Sequence, residues 1–191
     1  VTNGYATEES MEEFSPYIDA ANVDIKAFHP EFYTKYCKGR IEDVLASTEL
    51  MVKKGWHVEA TYLVIPGLND SPEEVRRMSK WILENLGVNA PLHISQFYPM
   101  YKMTRLKPTP ISTLEKSRKV ALEEGLHYVY LGNVPGQEGE NTYCPTCNRL
   151  LIKRIGFDIV EWNLNDAMAC STCGSKVAIK GKYESRKRIF I

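Results

Sequence analysis

Short runs rich in β-branched and aromatic residues return five times in the first 134 positions, and a helix-patterned stretch stands between each and the next. The runs are "VTNGYA", "NVDIKAF", "HVEATYLVIPG", "PLHISQFYP" and "HYVYLGNV". Alternation of this kind is the signature of βαβ units, and it forces a parallel sheet with crossover helices. The intervening stretches carry helix punctuation. Thr7 precedes two glutamates as an N-cap, and Ile41, Val44, Leu45, Thr48 and Val52 recur at helical spacing before Gly55. Ser71, Pro72 and Glu74 open a third helix that ends at Gly87, and "STLEKSRKVALEEG" supplies a fourth.

One strand departs from the pattern of a buried parallel strand, which is normally apolar on both faces. In "NVDIKAF", Val23 and Ile25 point one way and Asn22, Asp24 and Lys26 the other, because side chains alternate with period two. In α/β barrels ligands bind at the carboxyl ends of the strands. An amide, a carboxylate and an ammonium in one row at such an end can hold the two ends of a zwitterion. The alternative is an amphipathic edge strand with a solvated ion pair.

After Asn133 the composition changes. "VPGQEGE" reads as a turn-rich linker, and the remainder holds short β-rich runs, "RLLIKRI", "DIVEWNL", "KVAIKG" and "RKRIFI", around two cysteine pairs, Cys144–Cys147 and Cys170–Cys173. Two domains are therefore expected, 1–138 and 139–191. Paired CxxC turns suit a tetrahedral zinc site of the zinc-ribbon type, with four thiolates and no open position. A rubredoxin-like iron site, a second iron–sulfur cluster or two disulfides are the alternatives. From 144 to 191, nine Lys or Arg face four Asp or Glu, concentrated in "KGKYESRKR". Such a patch can meet nucleic acid or an acidic protein, although a solvated face is the commoner meaning.

Across the 191 residues the formal net charge is zero, and 43% are hydrophobic and 25% charged, so no global charge directs the chain to nucleic acid or a membrane. No apolar run approaches a membrane span and no secretion signal is visible, which leads to the expectation of a cytoplasmic protein. His29, His57, His93 and His127 show no mutual ligand spacing, Cys37 stands alone, and Tyr98 and Tyr101 could stack on a substrate or simply pack.

In order and interval, "TNGY", "DIK" and "YLVIPGLND" resemble the radical S-adenosylmethionine (SAM) enzymes of the glycyl-radical-activating type, such as pyruvate formate-lyase activating enzyme. "HISQFYP", "YVYLGNV", "NTYCPTCNRLLIKRIGF" and "CSTCG" resemble more specifically the radical SAM protein of the AmmeMemoRadiSam system. The resemblance covers nearly the whole chain. It implies a partial (β/α) barrel of parallel strands plus a small zinc-ribbon-like module, and a [4Fe-4S] cluster that reduces SAM to methionine and a 5′-deoxyadenosyl radical, for hydrogen abstraction from a protein or small-molecule substrate. Asp24 and Lys26 would then meet the methionine end of SAM. Thr2, Asn22 and Asp24 match positions around a monovalent cation beside its carboxylate, Leu63 would line the adenine side, and Tyr98 the mouth. No residue is assigned to the catalytic step.

The chain also departs from the family. It contains neither CxxxCxxC nor the Gly-Gly-Glu stretch, both upstream of "TNGY" in the family, so it is expected to be the barrel truncated at its N-terminus and inactive alone. Val1 stands where activating enzymes have an acidic cation ligand, Thr61 where some carry arginine, and Gln96 where arginine is expected. The competing function is a non-enzymatic α/β scaffold whose zinc ribbon binds nucleic acid or a protein.

Overall fold

The structure is a computed structural model that describes residues 1–179. The basic run "KGKYESRKR", the end of "KVAIKG" and all of "RKRIFI" lie outside the described residues. Helix α1 (Glu8–Phe14) leads into β1 (Ala20–Asp24). A short turn α2 (Pro30–Phe32) continues into a π-helical turn, Tyr33–Cys37. Then follow α3 (Ile41–Lys53), β2 (His57–Val64), α4 (Pro72–Asn85), β3 (Leu92–Gln96), α5 (Ile111–Glu123) and β4 (Val129–Gly132). The four strands form one sheet in the order β1-β2-β3-β4, every pair parallel.

Four of the five expected strands are present as strands. "VTNGYA" contributes only a bridge, in which the Thr2 N–H donates to the Asn22 carbonyl and the Asp24 N–H to the Thr2 carbonyl, each at 2.9 Å. Extension stops there because Gly4, at φ +71°, turns the chain away, and a Cβ on it would lie 2.9 Å from both Val23 and Val44 side chains.

Strand alternation sorts the sheet into two faces. In β2, Val58, Ala60, Tyr62 and Val64 are buried while His57, Glu59, Thr61 and Leu63 are half-buried. The apolar face joins Ile25, Tyr62, Leu92 and Ile94 to Val75, Met78 and Ile82 of α4 and Leu114 and Ala121 of α5. Val23 and Val58 meet Val44 and Met51 of α3 in a second cluster. The helix starts lie where the sequence places them. Thr7 Oγ1 accepts the Ser10 N–H at 3.3 Å, and Ser71 Oγ accepts the Glu74 N–H at 3.2 Å. Gly55 and Gly87 follow α3 and α4 at φ +85° and +94°, the left-handed geometry in which helices end. No helix among the described residues is long and apolar enough to cross a membrane.

A second, antiparallel sheet has the order β5-β6-β7, with β5 (Thr142–Tyr143), β6 (Leu150–Ile155) and β7 (Asp158–Trp162). Its buried Leu151 and Ile152 pack with Cys144, Cys170 and Val177, and also with Tyr128 just before β4. The linker-like stretch is not loose at its end. It forms a 3-10 turn, Glu138–Glu140, whose Gly139 is buried against β4. A Cβ at Gly139 would stand 2.5 Å from Leu131 Cγ. Overpacking a close contact costs about 1–3 kcal/mol. Gly139→Ala should therefore lower the urea midpoint by a corresponding amount, whereas a free linker would leave it unchanged.

Candidate functional site

The half-buried face is polar in every strand. The register sets Asn22 beside Glu59, Asp24 beside Thr61, Thr61 beside His93, and His93 beside Tyr130. Neighbouring strands lie about 4.8 Å apart, so these residues form one continuous surface. Thr61 Oγ1 donates to Asn22 Oδ1 at 2.7 Å. Lys26 Nζ lies 2.6 Å from Asp24 Oδ2, and their side chains remain 37% and 28% exposed. A pair this wet contributes at most about 1 kcal/mol, so it stabilises the strand little and leaves both charges accessible. Thr2 joins the row through its backbone, while its Oγ1 accepts the Gly4 N–H at 3.1 Å. Leu63 shares the face near the end of β2. Tyr98 stands apart from the row. It is 51% exposed beyond β3, and its hydroxyl donates to the Asn133 carbonyl at 3.2 Å, after β4.

Three residues that the sequence does not assign to the site hold the end of β1 in place. Asn69 is almost wholly buried, and its amide donates to the carbonyls of Lys26 (2.8 Å) and Leu63 (2.9 Å) while its Oδ1 accepts the Ile65 N–H (2.6 Å). It thereby ties the ends of β1 and β2 together at the site. The Tyr33 hydroxyl accepts the Lys26 N–H at 3.0 Å, and burial pushes this phenol up to about 12. The Glu74 carboxylate does not fold back on its own helix cap. It accepts the Phe28 N–H at 2.6 Å and lies 3.0 Å from His29 Nδ1. The turn residues of "PGLND" were visible in the sequence; these long-range partnerships were not.

On the same face, two of the four histidines that lack sequence spacing, His57 and His93, converge. Glu59 places one oxygen 2.7 Å from His93 Nε2 and the other 3.3 Å from His57 Nε2, and these hydrogen bonds, the His93 one foremost, hold its carboxyl below the usual range. His93 stacks on Tyr130 at 5.4 Å, and the Arg154 guanidinium of β6 lies 5.5 Å from the same ring.

The four paired cysteines come together, and Cys37 stays apart. Each CxxC forms a knuckle. The Asn148 N–H donates to the Cys144 carbonyl at 2.8 Å and the Gly174 N–H to the Cys170 carbonyl at 2.9 Å, with Asn148 at φ +55° and Gly174 at φ +74°. Sγ of Cys144 lies 3.6 Å from that of Cys173, and Cys147 lies 3.7 Å from Cys170, with all four within 4.8 Å of one another. A tetrahedron with metal–sulfur bonds of about 2.3 Å has edges of about 3.8 Å. The cage thus fits a single metal ion. It is too wide for disulfide bonds of about 2.05 Å, and a polynuclear cluster spreads its cysteines over several irons. Ser175 Oγ lies 3.3 Å from Cys173 Sγ and, with the Ser175 backbone, lowers that thiol, whereas burial and the neighbouring thiols raise Cys147.

No family model matches the chain. Over 180 residues it is 46% identical to an uncharacterised protein of Methanocaldococcus jannaschii, covering 94% of this chain and 53% of that protein. The chain therefore spans about half the length of the curated relative it matches. Among solved structures, a domain of pyruvate-formate lyase-activating enzyme from Bacteroides vulgatus superposes with a TM-score of 0.58 at 13% identity, covering 70% of this chain and 80% of that one. A radical SAM methyltransferase from Sphaerobacter thermophilus gives 0.53 at 13% identity, over 73% and 43%. The N-terminally deleted Elp3 of Methanocaldococcus infernus gives 0.50 at 17% identity, over 71% and 34%. These likenesses show the fold, an α/β partial barrel like that of these radical SAM proteins, and the four-cysteine group fits a zinc-ribbon-like module.

Proposed function

We propose that this chain is the part of a radical SAM enzyme, of the activating-enzyme or AmmeMemoRadiSam type, that receives the methionine end of SAM. The observation that carries the reading is the row Asn22, Asp24 and Lys26 on the open face of a radical-SAM-type sheet, at the carboxyl end of β1. Asp24 accepts hydrogen bonds from the ammonium of SAM, and Lys26 faces its carboxylate. Thr2 and Asn22, drawn to Asp24 by the bridge and by Thr61, frame the place for a monovalent cation beside that carboxylate. Leu63 lines the adenine side, and Tyr98 stands at the mouth. Bound SAM exchanges the internal ion pair for two of its own, which is why a weak, wet pair suits the site. A [4Fe-4S] cluster would supply the electron that cleaves the sulfonium; its CxxxCxxC ligands are not among these 191 residues. The cleavage serves hydrogen abstraction from a protein or small-molecule substrate.

The ribbon metal is zinc on this reading. Four thiolates close the shell, so the ion builds the module and leaves no position for catalysis. Purified protein should contain about one zinc per chain. Cys144→Ser should lower that content and expose the backbone amides of 143–179 to hydrogen exchange. Stoichiometric iron would reassign the metal, and undiminished metal in the variant would remove Cys144 from the site.

The activity itself divides the chain from a longer protein. A protein in which this chain follows a CxxxCxxC segment, reconstituted anaerobically with iron and sulfide, should convert SAM and dithionite to methionine and 5′-deoxyadenosine. The 191-residue chain treated alike should not. Turnover by the chain alone would overturn the assignment of the cluster to other residues. A longer protein that holds its cluster yet leaves SAM intact would overturn the radical SAM reading.

A further inference from the structure

A cavity of about 1120 Å³ lies between the lower part of the polar face and the four-cysteine module. It does not coincide with the Asp24–Lys26 row. Its sheet wall begins at His57, paired with Ala20, whereas Asp24 pairs with Thr61 four residues further along β2. The wall also includes Glu59, beside Asn22, and His93, beside Thr61, so the cavity and the row are neighbours on one face.

The charges in this cavity are unequally satisfied. Glu59 has an imidazole on each oxygen. Glu140 Oε2 accepts the Gly136 N–H at 2.7 Å and the Gly156 N–H at 3.5 Å. Lys54 pairs with Glu12 at 3.1 Å, the Asp19 carboxylate has no hydrogen-bond partner among the described residues, and Arg154 is the cation left part-satisfied. Its Nη1 donates to Thr142 Oγ1 at 2.7 Å and to the Glu140 carbonyl at 3.2 Å. Among the described residues no acceptor meets its Nε or Nη2. Two bonds on one nitrogen fix the orientation of the guanidinium, and the other edge keeps two parallel donors, the geometry that grips a carboxylate or phosphate. Both imidazoles line the same cavity, each with only Nε2 committed to Glu59. They do not form a metal triad, since among the described residues only the four cysteines gather closely enough to hold an ion. Trp56, Leu131 and Ile159 give the wall an apolar part beside the polar Ser15, Asp19 and Lys54, and Phe157 is fully exposed on the β6–β7 turn.

We propose that this cavity is a second ligand site, which binds a small organic oxyanion through the free edge of Arg154 and packs its apolar body between the sheet and the β6–β7 turn. Carboxylate and phosphate share the recognition chemistry. The site does not depend on the SAM reading, because neither Asp24 nor Lys26 lines it, although Glu59 stands beside Asn22 in the register. A ligand there touches both the barrel strands and the metal module, so its occupancy reports on their contact.

The four histidines make the test direct. In the metal-loaded 191-residue chain at neutral pH, phenyl phosphate or benzoate should shift the imidazole NMR signals of His57 and His93 saturably, and leave those of His29 and His127 in place. Benzyl alcohol, the neutral counterpart, should bind at least about tenfold more weakly. Arg154→Gln should weaken the anion by about tenfold or more with the module's metal retained, and Arg154→Lys, which keeps the charge and loses the fork, should weaken benzoate more than phenyl phosphate. If Arg154→Gln loses the metal, the native shifts and the benzyl alcohol comparison decide. The proposal is overturned if neither anion shifts His57 and His93 by about 10 mM, if benzyl alcohol binds as tightly, or if metal-loaded Arg154→Gln binds as the native chain does.

Discussion

The period-two alternation of four parallel strands governs everything else in this molecule. It gives the sheet one face that water must leave and one that water can keep. The first face carries Ile25, Ala60, Tyr62, Leu92 and Ile94, all fully buried. Burial of each Ile or Leu among them contributes about 1.5–3 kcal/mol, and α3, α4 and α5 are amphipathic because they must cover this face. The second face is thereby free to carry Asn22, Asp24, Lys26, Glu59, Thr61 and His93 without loss to the core. A register slip of one residue in β1 or β2 would exchange the faces and bury Asp24 or Glu59.

Much of this was legible in the sequence because it is local. Period-two runs place the strands, Thr7 and Ser71 start helices through their own hydroxyls, and Gly55 and Gly87 stop them. The CxxC knuckles are equally local, down to Gly174, although Asn148 plays the matching left-handed role with no glycine to mark it. Long-range partnership is what the sequence concealed. Glu74 reads as half of a capping box, but its carboxylate serves the Phe28 N–H some 46 residues away. His57 and His93 have no ligand spacing, yet register and alternation bring both to Glu59. Asn69 looks like a turn residue and is a staple between two strand ends. The first run, "VTNGYA", has strand composition, but Gly4 turns it out of the sheet after one bridge.

The metal module is joined to the barrel by specific contacts rather than by tether alone. Gly139 fits against Leu131 because it has no side chain. The Tyr130 hydroxyl meets Thr142 Oγ1 at 3.0 Å, and the Tyr128 hydroxyl accepts the Ala178 N–H at 3.2 Å. Tyr128 also belongs to the buried cluster that contains Cys144 and Cys170. A metal that orders the cysteines therefore orders the surface against which β4 packs. An ion held there would thus have a physical route to the polar face.

The proposed role of that face rests on two side chains, and their contribution to SAM binding is the most direct measure of it. In a cluster-loaded protein that carries this chain, the equilibrium dissociation constant for SAM should rise in both Asp24→Asn and Lys26→Met. Charge-assisted hydrogen bonds contribute about 1.5–3 kcal/mol, so each substitution should weaken SAM by about ten- to a hundredfold. Lys35→Met, a change of the same kind on the π-helical turn, should leave binding unaltered. If Asp24→Asn and Lys26→Met bind SAM as tightly as the native protein, the row is an ordinary solvated ion pair and the account of the open face is wrong.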